Sequence, residues 1–426
     1  MPEPLLTRRA VVLAKIETTY NVDAVPVAAT NAILVENPDY KIDVSMLDRD
    51  FTRADLDMLP STTGRKLASM TFTHEWRSNG RSHSGLIADA PNLGKLLRGC
   101  GFAEAAIAGT AGTQVGTVNA DEANVSTPTW AAASTWTDLV QPIVYAIEVT
   151  TGGASGAAKV SITPDAKTIA ASIDVAQTNV VVTSASPLEL KSGGGKSTIA
   201  PTFAGSLTLG DKWYVIVYPV GIQYMPISAS FESLTLYMYF DGLLHKMTGA
   251  RGTFKVSGEA GNYAKAEFTF TGQYVAPTDV ALPSTARYER QTPAMVELSD
   301  LYIDNIGAVC SKFDFDLGVS VAPRQDVNSA DGYNGVRITA RDVKGNIDPE
   351  ATLVADFAWW TKLASGTIML WRNKVGQTAG NRIFTLAPSV QISNLGYADR
   401  DQIRTMDVPL KMSRWFGNDS LVFLIA

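Results

Sequence analysis

Residues 190–200 read LKSGGGKSTIA, and the run GGGKST ends like a loop built to cradle phosphates. A working loop of that kind is G-x-x-x-x-G-K-[ST], whose first glycine lets backbone N–H groups turn toward the phosphate. Counting back from Gly195, that glycine falls on Leu190. The loop must also leave a strand and open a helix whose N-terminus faces the anion. Residues 184–190 can form the strand, but Thr198, Pro201, Gly205 and a second strand-like run follow. The stretch is therefore read as a hairpin turn carrying a lysine, without a nucleotide.

The remaining residues with chemical potential are few. There are three histidines. His74, in MTFTHEW, is read as a partly exposed strand histidine opposite Phe72 and beside Trp76. His83 lies among Arg, Ser and Gly, and His245 follows the turn Asp241-Gly242. No His pair has the i, i+2 or i, i+4 spacing of a metal site, and neither Cys100 nor Cys310 has a co-ligand nearby. Both cysteines sit in apolar neighbourhoods, LLRGCGF and IGAVCSKF, and are read as buried thiols. Asp48, Asp50, Asp55 and Asp57 could hold a metal or act as an acid/base pair. They alternate with Arg49, Arg53 and Leu56, the pattern of a solvated, salt-bridged loop. No G-x-S-x-G elbow occurs. The expectation is a protein that is not an enzyme, with no cofactor and no metal.

Composition restricts the partners. The 426 residues are 46% hydrophobic and 18% charged, enough for a large core and two or three domains. A net charge of -6 argues against a protein that grips nucleic-acid backbone, which needs clustered cations. Mild acidity suits a surface along which DNA slides. Lys15 and Glu17 interrupt the apolar run near the N-terminus before a signal-peptide core forms, and nothing approaches a membrane span. The chain is therefore expected to be cytosolic when made.

The elements that would carry these residues are mostly strands. FESLTLYMYF alternates Leu234, Leu236, Met238 and Phe240 with Thr235, Tyr237 and Tyr239, then meets Asp241-Gly242, a tight hairpin signal. LLHKMTG, RGTFKVSG and YAKAEFTFTGQY continue an antiparallel sheet. The order of elements then occurs twice. YKIDVSML, a charged loop, LASMTFTHEW and the helix PNLGKLLRGCGF are matched by KFDFDLGVSV, the loop APRQDVNSADGYN, GVRITARDV and the helix PEATLVADFAWWTKLASG. That second helix is expected to open at Pro349 and Glu350 and to align Leu353, Val354, Phe357 and Trp360. RGTFKVSG with AEFTFTGQY closes the first copy, and SVQISNLG with RTMDVPLKMS the second. Residues 112–212, poor in charge and rich in Thr, Ser, Ala and Gly, occur only in the first copy and read as an inserted all-β sandwich-like module. The expected division is 1–111 with 213–290, the module 112–212, and 291–426.

TRRAVVLAKIETTYNVDAVPVAATNAILVEN, LDRDFTRADLDML, LGKLLRGCGF and SLTLYMYFDGLLHKMTGARGTFKVSGEAG with FTFTGQYVAPTD together resemble the major tail tube proteins of long-tailed bacteriophages. The resemblance implies a mainly β (α+β) chain, here two tandem β-sandwich or barrel domains, each with a flanking helix, plus the inserted module. It implies self-assembly into stacked rings that form the tail tube of the virion. Genome and tape measure protein would pass through it, and tail terminator and distal tail proteins would cap it. DNA would not be bound specifically, and no membrane would be involved. Some larger members are tandem duplications that form trimers, and two copies fit a homotrimer ring with pseudo-sixfold symmetry.

A self-assembling protein needs edge strands and reaching loops. The expected inter-ring arms are residues 48–64, 320–333 and 1–31, with Asp48, Arg49, Asp50, Arg53, Asp55, Arg324 and Asp326 as contact residues. A lumen strand should have one apolar and one polar face. KFDFDLG sets Phe313, Phe315 and Leu317 against Asp314 and Asp316, the expected lumen residues. Two other readings stay open: another virion structural protein (baseplate or capsid decoration), or a glycan-binding adhesive β-protein using Trp130, Trp136 and Trp213 as a sugar platform.

Overall fold

The computed structural model describes residues 4–54, 57–81, 87–136, 139–165, 174–192, 197–304 and 306–426. The chain is mainly β, 51% strand and 6% helix. One antiparallel run crosses the whole body. Glu36–Arg49 pairs with Leu59–Glu75, which pairs with Lys265–Asp279, which pairs with Leu243–Glu259. Residues 255–259 of the last strand then pair with residues 312–316 of Cys310–Asp316. The run continues through Lys344–Pro349 to Ile403–Met412, flanked by residues 390–392 and by Gly396–Arg400.

Alternation explains why these segments are strands: every second side chain is apolar and all of those point to one side. Phe254, Phe268, Phe270, Phe313, Phe315 and Val256 are buried there. Phe268 and Phe270 stack at 5.9 Å. His74 belongs to this buried side too. It lies in register with Ala266 and is 1% exposed, so the expected partial exposure is wrong. Its parity with Phe72 and Trp76 carries it inward with them.

A second layer covers the core. Ala10–Ile16 pairs with Leu234–Phe240, which turns into Leu243–Glu259 through Asp241 (φ 41°) and Gly242 (φ 108°). Both torsions are positive, as the tight reversal requires. Elsewhere in this layer Phe102–Ile107 pairs with Gly221–Pro226, which pairs with Val422–Ile425, which pairs with Ile383–Ile392. Val422–Ile425 is covered on both faces. Phe423 and Ile425 enter the main core, while Val422 and Leu424 join a smaller cluster with Ile107, Val144, Tyr218, Phe384 and Leu386.

Helix Asn92–Gly99 forms where expected and buries Leu93, Leu96 and Leu97, with Cys100 fully buried behind it. The second helix does not. It spans Trp359–Ser365, and Pro349 ends a strand. Extended ties win over the helical stripe: Glu350 N–H donates to the Val309 carbonyl and Ala351 N–H to that of Arg404, both at 2.9 Å. Leu353 and Val354, expected on the buried stripe, are 76% and 67% exposed.

The inserted stretch carries its own core. One sheet orders Gln177–Val181, Lys159–Pro164, Ile143–Thr151, Lys212–Val217 and Asn119–Ala120, and another orders Leu188–Glu189, Thr198–Thr202 and Thr129–Ala132. Between them lie Trp136, Tyr145, Ile147, Val160 and Trp213. Lys212–Val217 is a strand of this module. Leu188–Glu189 and Thr198–Thr202 pair antiparallel, with Leu188 opposite Ile199, so the GGGKST run joins two strands of one sheet. Residues 193–196 of that run lie outside the described residues, as does His83. Trp136 and Trp213 are 4% and 1% exposed and Trp213 packs edge-on to Trp130 at 5.4 Å, which removes the sugar platform.

Candidate assembly surfaces

The long sheet presents its second face to solvent, and that face carries Asp314 and Asp316. Across the strands one row runs Thr73, Glu267, Lys255, Asp316, Lys344, Lys411. The next runs Glu75, Lys265, Ser257, Asp314, Asn346, Pro409. A third is Thr71, Thr269, Thr253. Cross-strand neighbours of opposite charge stabilise each other by a few tenths of a kcal/mol, roughly 0.2–1. The face is therefore charge-mixed, with hydroxyls between. Partial burial raises the Asp314 carboxyl above its usual range, Lys255 and Lys312 oppose that, and Asp407 and Asp316 add to it. Phe313, Phe315 and Leu317 are buried beneath.

Two of the three expected arms, 48–64 and 320–333, are hairpins rather than loops. Asp48 and Arg49 lie within the strand Glu36–Arg49, whose ladder runs on to Arg49 opposite Leu59. Asp48 accepts a 2.7 Å hydrogen bond from the Ser61 hydroxyl. Asp50 and Arg53 are exposed at the tip, and Asp55 lies outside the described residues. Arg324 is an exposed residue of the strand Val319–Gln325, which pairs with Tyr333–Arg341. Asp326 is held in the turn between them. It accepts from the Asn328 N–H at 2.9 Å and the Asn334 side chain at 3.1 Å, and those bonds lower its carboxyl below the usual range.

The arms differ in what they touch. The second lies against the first half of the chain: the Tyr20 hydroxyl donates to the Val336 carbonyl at 2.9 Å, as does Arg251. Lys66 N–H donates to the Asp331 carbonyl at 3.2 Å, and Val336 is fully buried. In the first arm Met46, Leu47, Phe51 and Met58 are each more than half exposed. Of residues 1–31, 1–3 lie outside the described residues and Ala10–Ile16 is an interior strand. Glu17 is buried and accepts from Ser233, Thr235 and the Gly249 N–H.

Among the described residues, two strands of the long run pair on one side only: Glu36–Arg49 with Leu59–Glu75, and Gly396–Arg400 with Ile403–Met412. The second edge was missed in the sequence because its turn is Asp401-Gln402, both with positive φ (53° and 69°) and neither a glycine. Beside it Trp360 lies 5.6 Å from Tyr397, and they are 44% and 57% exposed. Such an unpaired, partly apolar edge is a template for another strand.

Among the described residues no three His, Cys, Asp or Glu groups are placed to hold a metal, and no helix is long and apolar enough to cross a membrane. Both cysteines are free thiols; burial raises Cys100 well above the ordinary thiol range and pushes Cys310 up to about 12. Among the described residues, the long run offers two open edges, two arms and one broad polar face. A family model described as phage tail tube protein matches residues 7–405. No curated protein matches the chain.

Proposed function

Because the chain belongs to the phage tail tube protein family, we propose that it closes into rings of three, each chain filling two of six equivalent places, and that the rings stack into a conduit for DNA. The observation that carries this is the unbroken sheet. The first half's sheet passes into the second half's through residues 255–259 and 312–316, with no gap or change of direction. A run that joins two like halves inside one chain and ends in two open edges can go round a ring.

In this reading the polar face lines the channel. Glu267, Asp314 and Asp316 stand among Lys255, Lys344 and Lys411, so a phosphate backbone meets a charge-mixed face and not an all-cation array, which suits fast passage. Tape measure protein shares the channel, and terminator and distal tail proteins cap the tube in the virion. The first arm, with Phe51 and Met58 exposed, reaches the adjacent ring. The two halves are the two tube domains, and the inserted module decorates the outside, since its contact lies on the layer opposite the polar face.

Electron microscopy of the purified protein tests the reading. Stacked rings with an open channel support it. A protein that stays monomeric at high concentration, or forms solid fibres, overturns it.

A further inference from the structure

We infer that the joint between the two halves inside the chain is repeated, in the same register, between one chain and the next. The strand Gly396–Arg400 of one chain pairs antiparallel with Glu36–Arg49 of its neighbour, setting Gly396 opposite Lys41, Tyr397 opposite Tyr40 and Ala398 opposite Asp39. The inference rests on the duplicated-ring reading above and adds the surface and its register.

The residue equivalences come from strand pairings alone. Leu234 opposite Ala250 is matched by Met369 opposite Val390, and Gly252 opposite Phe270 by Ile392 opposite Leu410. One extra residue then enters the second half, after which Lys255 opposite Glu267 is matched by Gly396 opposite Asp407, and Val256 opposite Ala266 by Tyr397 opposite Met406. On the other side of the joint, Tyr40 opposite Met70 is matched by Phe315 opposite Gly345, and Lys41 opposite Ser69 by Asp316 opposite Lys344. A side chain repeats the same logic. Arg251 donates to the Phe231 carbonyl at 2.9 Å and Gln391 to the Gly366 carbonyl at 2.7 Å, each just ahead of the paired strand.

Inside the chain, Lys255 faces Asp316, Val256 faces Phe315 and Ser257 faces Asp314. Replacing each residue by its equivalent gives the stated register. Exposure supports the exchange. Val256 and Leu317 are fully buried in the internal joint, whereas their equivalents Tyr397 and Ile42 are 57% and 41% exposed. The partner that buries them is a second copy of this chain. A partner of other chemistry would have to supply a strand of the same register to do so.

Cysteine pairs read the register directly. Partners in an antiparallel ladder lie about 4.5–5.5 Å apart at Cα, within the range a disulfide bridges. Tyr397→Cys with Tyr40→Cys, and separately Ala398→Cys with Asp39→Cys, are assembled, imaged and mildly oxidised. Adjacent positions are used because ladder pairs alternate in spacing. At least one pair is expected to give covalent trimers on a non-reducing gel, and wild type none. The offset pair Ala398→Cys with Tyr40→Cys projects to opposite faces and should give none. If a double variant does not assemble, the single variants Tyr397→Cys and Tyr40→Cys mixed in equal amounts should give a covalent dimer. Normal tubes with no bridge in any of these arrangements, or with a bridge only in the offset pair, overturn this joint and leave the tube reading standing. Wild-type protein that never forms rings overturns both.

Discussion

Acid should weaken this fold through one buried imidazole. His74 is 1% exposed, and burial together with the Arg77 cation lowers its pKa to about 4. The fold therefore holds His74 neutral, while the unfolded chain takes up its proton near the ordinary value of about 6.5. The stabilising difference is fully present above pH 6.5 and is lost as pH falls toward 4. The gap of about 2.5 pH units is worth about 3 kcal/mol in all, of which about 2.5 kcal/mol is lost by pH 4.5. Carboxylates also titrate in this window, so the comparison must be with a variant. His74→Met keeps an apolar side chain of similar bulk and removes the titration. Urea midpoints of unassembled wild type and variant, followed by tryptophan fluorescence at pH 7 and pH 4.5, should show wild type losing about 2.5 kcal/mol more. Equal losses in the two proteins would refute the assignment of a neutral, buried His74.

Three further outcomes follow from the packing. Arg372 and Asp165 form a 2.9 Å ion pair, about 10% exposed on either side, between the body and the module. Arg372→Met alone should cost about 3–5 kcal/mol in denaturant unfolding by stranding the carboxylate, and Arg372→Met with Asp165→Leu should recover most of it; equal losses would show the pair uncoupled. Replacing residues 112–218 by a short Gly/Ser linker should leave tubes that clump sideways, because Phe384, Leu386, Val422 and Leu424 lose their cover. Adding Phe384→Thr and Leu424→Thr should disperse them in micrographs, whereas a folded product without tubes would place the module in the assembly interface. Asp314→Lys with Asp316→Lys puts lysines beside Lys255, Lys312 and Lys344, and virions carrying both should eject DNA more slowly at low salt than at high salt. Unchanged ejection at low salt from intact tails would move the channel to another face.

Local rules carried far in this sequence where the signal and the fold agree. FESLTLYMYFDGLLHK folds as its alternation and its Asp-Gly turn require, and LGKLLRGC makes the expected buried helix. KFDFDLG splits its Phe and Asp residues between core and surface as written. Tertiary pairing decided the rest. PEATLVADFAWW carries a helical stripe, yet Pro349 and Glu350 are taken by the neighbouring strands before a helix can start. The segment around Arg324 and Asp326 looks like a free loop because nothing local reveals that Tyr20 and Arg251, distant in sequence, hold Val336. The edge at Gly396–Arg400 is hidden by a turn that uses left-handed Asp401 and Gln402 where glycine would have marked it. Candidate contact residues were legible as charges, but whether a charge is exposed at a tip or fixed within a turn, as Asp326 is, depends on contacts the sequence does not display.

If three chains make one ring, their sheet runs from chain to chain without a break. A cryo-electron-microscopy cross-section of tubes assembled from the purified protein measures this directly. The expected cross-section has six similar inner lobes, only three peripheral modules, and a continuous inner wall in which residues 36–43 of each chain lie beside residues 396–400 of the next. Six full chains per ring, or an inner wall with gaps between chains, would contradict it.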